Sequence, residues 1–205
     1  MSKNFFVTGI GTDVGKTVGA AVLVQALKAN YWKPIQAGNL EFTDSDFIRQ
    51  NTDYAKLVMD ESVLLSTPAS PNIAAKFESK EIDVQRIEIP YVINNFIVEG
   101  AGGIMVPIND KHSMLDLINK IQFPVILCVK SYLGCINHFL LTVEVLKLNK
   151  IPISGIILSG TFDSEVKETI LSFTDLPLIV HIPFTDNLSS EFIREQAEHI
   201  NLDLL

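Results

Sequence analysis

Lys16 and Thr17 close a glycine-punctuated run, Thr8-Gly9-Ile10-Gly11-Thr12-Asp13-Val14-Gly15-Lys16-Thr17, that joins the apolar segment Phe5-Phe6-Val7 to a stretch rich in Ala, Val and Leu. These residue types at this spacing suit a phosphate cradle. Glycines let backbone N–H groups turn toward phosphate oxygens, and the following helix offers the positive end of its dipole. Lys16 adds a mobile cation and the Thr17 hydroxyl can ligate Mg2+. The strict Gly-x4-Gly-Lys-Thr pattern needs glycine at position 10, where Ile10 stands between Gly9 and Gly11, so the match is to a variant loop. The competing reading is an ordinary strand-to-helix turn; a strand before and a helix after favour the phosphate loop.

Three further groups could join this loop: Lys33, followed by Pro34; Asp46, after Ser45; and Glu99, which closes the apolar run Phe96-Ile97-Val98. As a set they suit phosphoryl transfer. Mg2+ takes oxygen ligands such as Thr17, Asp46 and Glu99, while two lysines neutralise charge on the transferring phosphoryl group. Taken singly each has a plainer role. Asp46 could be a helix-start acid, Glu99 could cap the glycine turn that follows, and Lys33 could be solvated at a strand end.

The elements that must position these groups alternate along the chain. Residues 17–29 read as a helix, 31–35 as a short strand, 36–39 as loop, and Thr43-Asp44-Ser45-Asp46 as the start of a helix running to about residue 59. A small strand at 63–65, a proline-stiffened loop at 66–71 and a short helical piece at 73–77 follow. Residues 81–95 are ambiguous, because Pro90 limits any helix there to a turn or two. Strands are expected at 96–98, 124–129, 153–158 and 177–182, and helices at 113–121, 136–148, 163–173 and 189–199.

Uninterrupted apolar strands alternating with amphipathic helices mean an α/β fold: one P-loop NTPase-type domain over residues 1–205, with a mainly parallel sheet covered by helices on both faces. In such sheets ligands sit beyond the carboxyl ends of the strands. That rule gathers the phosphate loop and residues 33–38, 99–103, 130–137, 159–161 and 182–184 on one rim.

Composition narrows the partners. Of 205 residues, 47% are hydrophobic and 20% charged, which excludes a disordered chain. No apolar run approaches the roughly 20 residues that span a bilayer, and Met1-Ser2-Lys3-Asn4 leads straight into a strand, so the expectation is a soluble cytoplasmic protein with no membrane role. A formal charge of -8 opposes nonspecific binding to nucleic acid, leaving a small ligand as the expected partner. Cys128 and Cys135 lack CxxC spacing and read as reduced thiols.

Nearly the whole chain resembles the dethiobiotin synthetase family, the ATP-dependent enzymes of biotin synthesis. The likeness rests on Val7-Thr8-Gly9 with Thr12 and Val14-Gly15-Lys16-Thr17, on Lys33-Pro34-Ile35-Gln36, Ser45-Asp46, Ser70-Pro71 with Ala74, and Val98-Glu99-Gly100-Ala101-Gly102-Gly103 with Pro107. It continues through Pro124-Val125-Ile126-Leu127, Leu133-Gly134-Cys135-Ile136-Asn137-His138 and Ile182-Pro183. The Glu-Gly-Ala-Gly-Gly and Leu-Gly-Cys-Ile-Asn-His runs are far more specific than the phosphate loop.

The resemblance implies a reaction in which 7,8-diaminononanoate and CO2 are joined, with ATP, to give dethiobiotin, ADP and phosphate. A carbamate forms on one amine, its oxygen attacks the γ-phosphate to give a carbamic-phosphoric anhydride, and the second amine closes the ureido ring. It implies Lys33 and Lys16 as catalytic lysines and Thr17, Asp46 and Glu99 as Mg2+ ligands. ATP contacts fall to Asp13, Val14, Gly15, Lys16, Thr17, Val18, Asp46, Glu99, Gly100, Ala101 and Gly102. Further nucleotide contacts fall to Ser159 and Gly160, at the place that reads the base, and to Ile182, Pro183 and Phe184; the other substrate is assigned to Thr12, Lys33 and Ala37. Leu133, Gly134, Cys135, Ile136 and Asn137 would present helix-start amides to a substrate carboxylate on the other subunit, which makes the implied assembly a homodimer. An exposed helix N-terminus is an anion site needing no cationic side chain. His138 is expected to be a packed helix residue.

The chain departs from the family pattern at four places. Ala37 stands where a hydroxyl is common, leaving Thr12 or a backbone group to replace one polar contact, and Gly11 replaces an aspartate in the phosphate loop. Ser159-Gly160 replaces the Asn-Asp that reads adenine, and serine cannot make the paired donor-acceptor contact of an amide. The connections before Trp32 and Phe96 are short. The rival reading is a partitioning or metallochaperone-type P-loop ATPase switch, which keeps Lys16, Thr17 and an acid at Asp46 but needs neither Lys33-Pro34 nor the Leu133 to His138 run. An inactive relative kept as a binding module is a third, opposed by the intact lysines and acids.

Overall fold

The computed structural model describes residues 2–205, and its organising element is a sheet of six parallel strands. The strands are β1 (Asn4–Gly9), β2 (Asn30–Trp32), β5 (Phe96–Gly103), β6 (Val125–Lys130), β7 (Ile153–Ser159) and β8 (Leu178–Ile182), in the order β2-β5-β1-β6-β7-β8. Two more, β3 (Ile35–Ala37) and β4 (Val63–Leu65), pair in parallel as a separate ribbon. Seven α-helices are present among the described residues: α1 (Lys16–Leu27), α2 (Asp44–Asn51), α3 (Pro71–Phe77), α4 (Met114–Ile121), α5 (Cys135–Leu148), α6 (Ser164–Ser172) and α7 (Ser190–Glu198).

Right-handed crossovers place the helices. From β1 the chain moves through α1 toward the β2 edge, whereas α4, α5 and α6 carry it the other way, so the two sets must fall on opposite faces. α1, α2 and α7 accordingly pack on one another and α5 packs on α6. Strands covered on both sides need apolar residues throughout. Phe5, Phe6 and Val7 in β1 and all five residues from Val125 to Val129 in β6 are buried, each large side chain contributing about 1.5–3 kcal/mol. The direction of travel reverses at β1, and the crevice beyond its carboxyl end is the expected ligand position.

The local differences from expectation have local causes. The strand expected at 31–35 breaks at Lys33-Pro34, since proline has no N–H for the ladder. Gln36 and Ala37, expected in a loop, belong to β3. The second helix stops at Asn51 rather than near residue 59. There the Asn51 amide and the Thr52 hydroxyl bond back to the carbonyls of Phe47 and Ile48, and Thr52 is extended. Residues 81–95 hold one 3-10 turn, Val84–Arg86, and no α-helix. Glu99 does not end its strand, because β5 continues to Gly103 past an irregularity opposite Val7 and Gly9. Cys128 and Cys135 are free and buried. No helix among the described residues is long and apolar enough to cross a membrane.

Candidate active site

β1 delivers the loop that the glycine spacing singled out. The backbone is left-handed at Asp13 (φ 56) and Gly15 (φ 84), and Gly15 caps α1 with no side chain bonded to the first amides. Those amides are left to face an anion. A Cβ on Gly15 would fall 2.3 Å from Ser159 Oγ, so neither the dihedral nor the space admits a side chain. Lys16, nearly buried, folds over the loop and donates to the Gly11 carbonyl at 2.7 Å. Burial lowers its pKa from the usual lysine range, with the Glu99 charge opposing that shift. An ammonium tethered to one loop carbonyl can be recruited by a phosphate at small cost.

β2 and β5 bring the other charges to the same place. Register pairs Tyr31 with Ile97 and Trp32 with Val98, and past this pairing Lys33 reaches Glu99. Lys33 Nζ donates to Glu99 Oε1 at 2.8 Å and to the Gly100 carbonyl at 3.3 Å, and it forms an ion pair with Asp44. Glu99, 0% exposed, also accepts from the Thr17 hydroxyl at Oε1 (3.0 Å) and from the Tyr31 hydroxyl at Oε2 (2.8 Å).

Burial opposes charge on Lys33, yet the Glu99 and Asp44 carboxylates outweigh it and raise its pKa. Burial raises Glu99 above the ordinary carboxylate range, against the attraction of Lys33 and with the Asp44 charge adding to the rise. Tyr31 is pushed well above the phenol range by burial and by the Glu99 charge, so it remains a donor.

Lys16, Thr17, Lys33, Asp44 and Glu99 line a cavity of about 670 Å³ at the carboxyl ends of the strands, with Tyr31 behind it. Of the sequence candidates, the walls contain Thr12, Asp13, Val14, Gly15, Lys16, Thr17, Val18, Lys33, Ala37, Glu99, Ala101 and Gly102. Gly100 contributes its carbonyl to Lys33 from behind the wall, and a Cβ there would press on Phe6 at 2.8 Å. Pro68, Ala69, Ser70 and Pro71 form the far wall, with Gln36, Asn39 and Val106. Gln36 donates to the Gly38 carbonyl and leaves its own Oε1 without a partner, one position from Ala37.

Asp46 is not in the cavity. Its carboxylate is spent on α2's own start, accepting from the Thr43 amide (3.0 Å) and hydroxyl (2.9 Å) and pairing with Arg49. Its pKa is lowered chiefly by the Thr43 backbone bond. Asp44, two residues earlier, lines the wall and meets Lys33 instead. Thr43-x-x-Asp46 has the spacing of a capping box, the signal by which the sequence could have marked Asp46 as consumed and Asp44 as free. Tyr31, read from sequence only as a strand residue, is the other functional neighbour that sequence reasoning missed.

The remaining candidates stand outside these walls. Ser159 backs against Gly15, and the Gly160 amide bonds to the Ile182 carbonyl at 2.9 Å, tying the ends of β7 and β8 together beside the loop. Pro183 and Phe184 follow, with Phe184 exposed. The Leu133 to Asn137 segment is the entry to α5, capped by Gly134 at φ 100 with no side-chain cap. Its neighbour Tyr132 reaches toward the phosphate loop near Gly11. His138, expected to be packed, is exposed, with its Nδ1 2.8 Å from the Tyr132 hydroxyl.

Among the described residues no three His, Cys, Asp or Glu side chains cluster as a metal site of their own. Asp44 and Glu99 nevertheless meet on the Lys33 ammonium, and the Thr17 hydroxyl joins them through Glu99, which gives an all-oxygen set. Hard oxygen ligands completed by phosphate and water suit Mg2+.

Residues 3–191 match a family model described as "AAA domain". The chain is 40% identical to the ATP-dependent dethiobiotin synthetase BioD of Christiangramia forsetii, covering 97% of this chain and 96% of that protein. It is also 40% identical to the protein of the same name from Cytophaga hutchinsonii (95% of each) and 37% to that from Agrobacterium fabrum (98% and 96%). Among solved structures, a ParA family ATPase from Chlorobium tepidum superposes with TM-score 0.59 at 15% identity over 98% of this chain and all of that one. The septum site-determining protein MinD from Pyrococcus horikoshii gives 0.57 at 16% over 98% and 97%. At such identity these two share the fold.

Proposed function

Because this chain belongs to the ATP-dependent dethiobiotin synthetase family, we propose that its rim cavity is where ATP drives closure of a ureido ring on 7,8-diaminononanoate and CO2. One observation carries the reading: the Lys33 ammonium, buried at the end of β2, is held between Asp44 and Glu99 within reach of the phosphate loop. A lysine so placed has no part in a simple nucleotide switch.

In the proposed sequence one amine attacks CO2 and loses a proton, forming a carbamate. Lys33 leaves Asp44 to bind the carbamate oxygens and lines them up with the γ-phosphorus. A carbamate oxygen attacks, the bond to the β-phosphate oxygen breaks and ADP departs, with Lys16 and the amides of the loop and first helical turn holding the charge that moves onto the phosphates. The second amine then attacks the carbonyl carbon, phosphate leaves, and the ring closes as the nitrogen sheds its proton. Thr17, Asp44 and Glu99 would hold Mg2+, which when bound would supply Lewis-acid chemistry toward the phosphate. The far wall of Pro68, Ala69, Ser70 and Pro71 offers an apolar flank for the aliphatic chain of the substrate.

The substrate carboxylate is assigned to the uncapped amides at the start of α5 in a second subunit. Supporting a homodimer, Leu133 is fully exposed, and Leu141 and Leu148 lie exposed two turns apart on α5. Replacing Leu141 by glutamate is expected to give a monomer, read by light scattering, with turnover lost. We place the protein in the cytoplasm, where ATP and the diamine are at hand.

The test is ADP release. Diaminononanoate and bicarbonate together should stimulate it well above the rate with ATP alone. Equal release without the diamine would return the chain to the nucleotide-switch class. Running the same assay with several nucleoside triphosphates would show what Ser159-Gly160 does in place of an amide side chain.

A further inference from the structure

β2 carries a side chain whose polar end the chemistry above does not use. Tyr31 and Glu99 are both 0% exposed, and the tyrosine hydroxyl donates to Glu99 Oε2 at 2.8 Å. Thr17 and Lys33 both use the other oxygen, Oε1. The two oxygens of one carboxylate are thus divided between a strand side chain and the site. Register accounts for the meeting: Tyr31 pairs with Ile97, and side chains two apart on β5 share a face, which sets Glu99 on Tyr31's side of the sheet. Rotation about the last bond of a glutamate is broad, so without a fixed donor the plane of the carboxylate can tilt away from Thr17.

We propose that Tyr31 is a positioning residue for divalent-cation binding: its hydroxyl holds one Glu99 oxygen, fixes the carboxylate plane and so leaves the other oxygen directed at Thr17. The proposal rests on the reading of Glu99 as a cation ligand. Tyr31 itself touches neither nucleotide nor cation. Carboxylate ligands are oriented by such outer partners, and losing one typically costs 10–100-fold in metal affinity.

The experiment measures ADP affinity by calorimetry with and without Mn2+, the ratio of the two being the cation's contribution, in the parent, Tyr31→Phe, Glu99→Gln and the double variant. Tyr31→Phe keeps the ring and removes one O–H. The expected result is a fall of about 10-fold or more in the Mn2+ contribution, with metal-free ADP affinity unchanged. General loosening of the fold would lower both together, and that outcome overturns the proposal. Glu99→Gln should lose at least as much, and adding Tyr31→Phe to it should cost nothing more. A further loss in the double variant overturns the proposal, because Tyr31 would then act elsewhere. If Glu99→Gln loses the Mn2+ contribution while Tyr31→Phe keeps it, positioning by Tyr31 is wrong and the ligand reading stands. If Glu99→Gln keeps it, the ligand reading fails first.

Discussion

Glu99 and Asp53 are both carboxylates bonded to a cation and to a second donor, and they sit in opposite kinds of place. Glu99 lies in the middle layer with Lys33, Thr17 and Tyr31 around it and no solvent contact. Asp53 lies on the surface just after α2, paired with Arg194 of α7 at 2.7 Å and with Gln25 of α1 at 2.8 Å. The surface cluster ties three helices of one face together and, screened by water, is worth little. The buried cluster has desolvated Lys33, Glu99 and Tyr31, so removing one leaves another uncompensated. The same pairing chemistry gives mild reinforcement in one place and a mutually dependent buried centre in the other.

The contrast is broken most sharply by taking away the cations. Lys33→Ala should lower turnover by roughly 10^3-fold or more while ADP still binds, because the residue acts on carbamate and developing charge rather than on the base. Arg194→Ala should leave turnover within about twofold of the parent, since solvent replaces the lost partner. Comparable losses from both, in a steady-state assay, would erase the distinction between the clusters.

A smaller effect sharpens it. Asp44→Asn removes a charge that faces Lys33 and should raise the Mg2+ concentration needed for half-maximal turnover by about 10-fold, with the fold intact. Asp46→Asn removes only half of a capping box and should cost about 1 kcal/mol of stability, read as a fall in thermal midpoint, with the Mg2+ requirement unchanged. If Asp46→Asn instead shifts the Mg2+ requirement and Asp44→Asn does not, the geometry of this helix start has been misread.

That pair also shows how far the chain could be read before it was folded. The sheet was legible because Val125 to Val129 and its counterparts are unbroken apolar runs, a pattern buried parallel strands demand. Lys16 and Thr17 were legible from the glycine spacing of the loop that starts α1, and Lys33 and Glu99 from their places after apolar runs near the one rim that strand ends share. Between two aspartates two residues apart the decision turned on which one Thr43 captures, a competition among hydrogen bonds that residue types alone did not settle. Tyr31 was hidden for another reason. A tyrosine inside a strand reads as core, and its hydroxyl acquires meaning only through the register that sets it beside Glu99. The early stop of α2 depended likewise on Thr52 and Asn51 turning back onto carbonyls, which composition does not announce.

The least effect is expected from pH, where the two clusters fail at opposite ends of the scale. Lys33 has its pKa raised above 10.5 in the fold, so its electrostatic contribution is complete below that value and fades as pH climbs through the folded one. Asp53 is lowered from 3.8 to about 2, chiefly by its bond from Arg194 and then by Gln25. Between those two values the unfolded chain binds more protons than the folded one, so stability conferred by Asp53 is present above about 4 and drains away as pH falls through 2. Since the group is exposed, Asp53→Asn should move the thermal midpoint at pH 7 by no more than about 2 °C, less in high salt, and the gap from the parent should close as pH approaches 2. A gap that widened with acid would reverse the sign of the Asp53 shift and, with it, the claim that water alone separates this cluster from the one around Glu99.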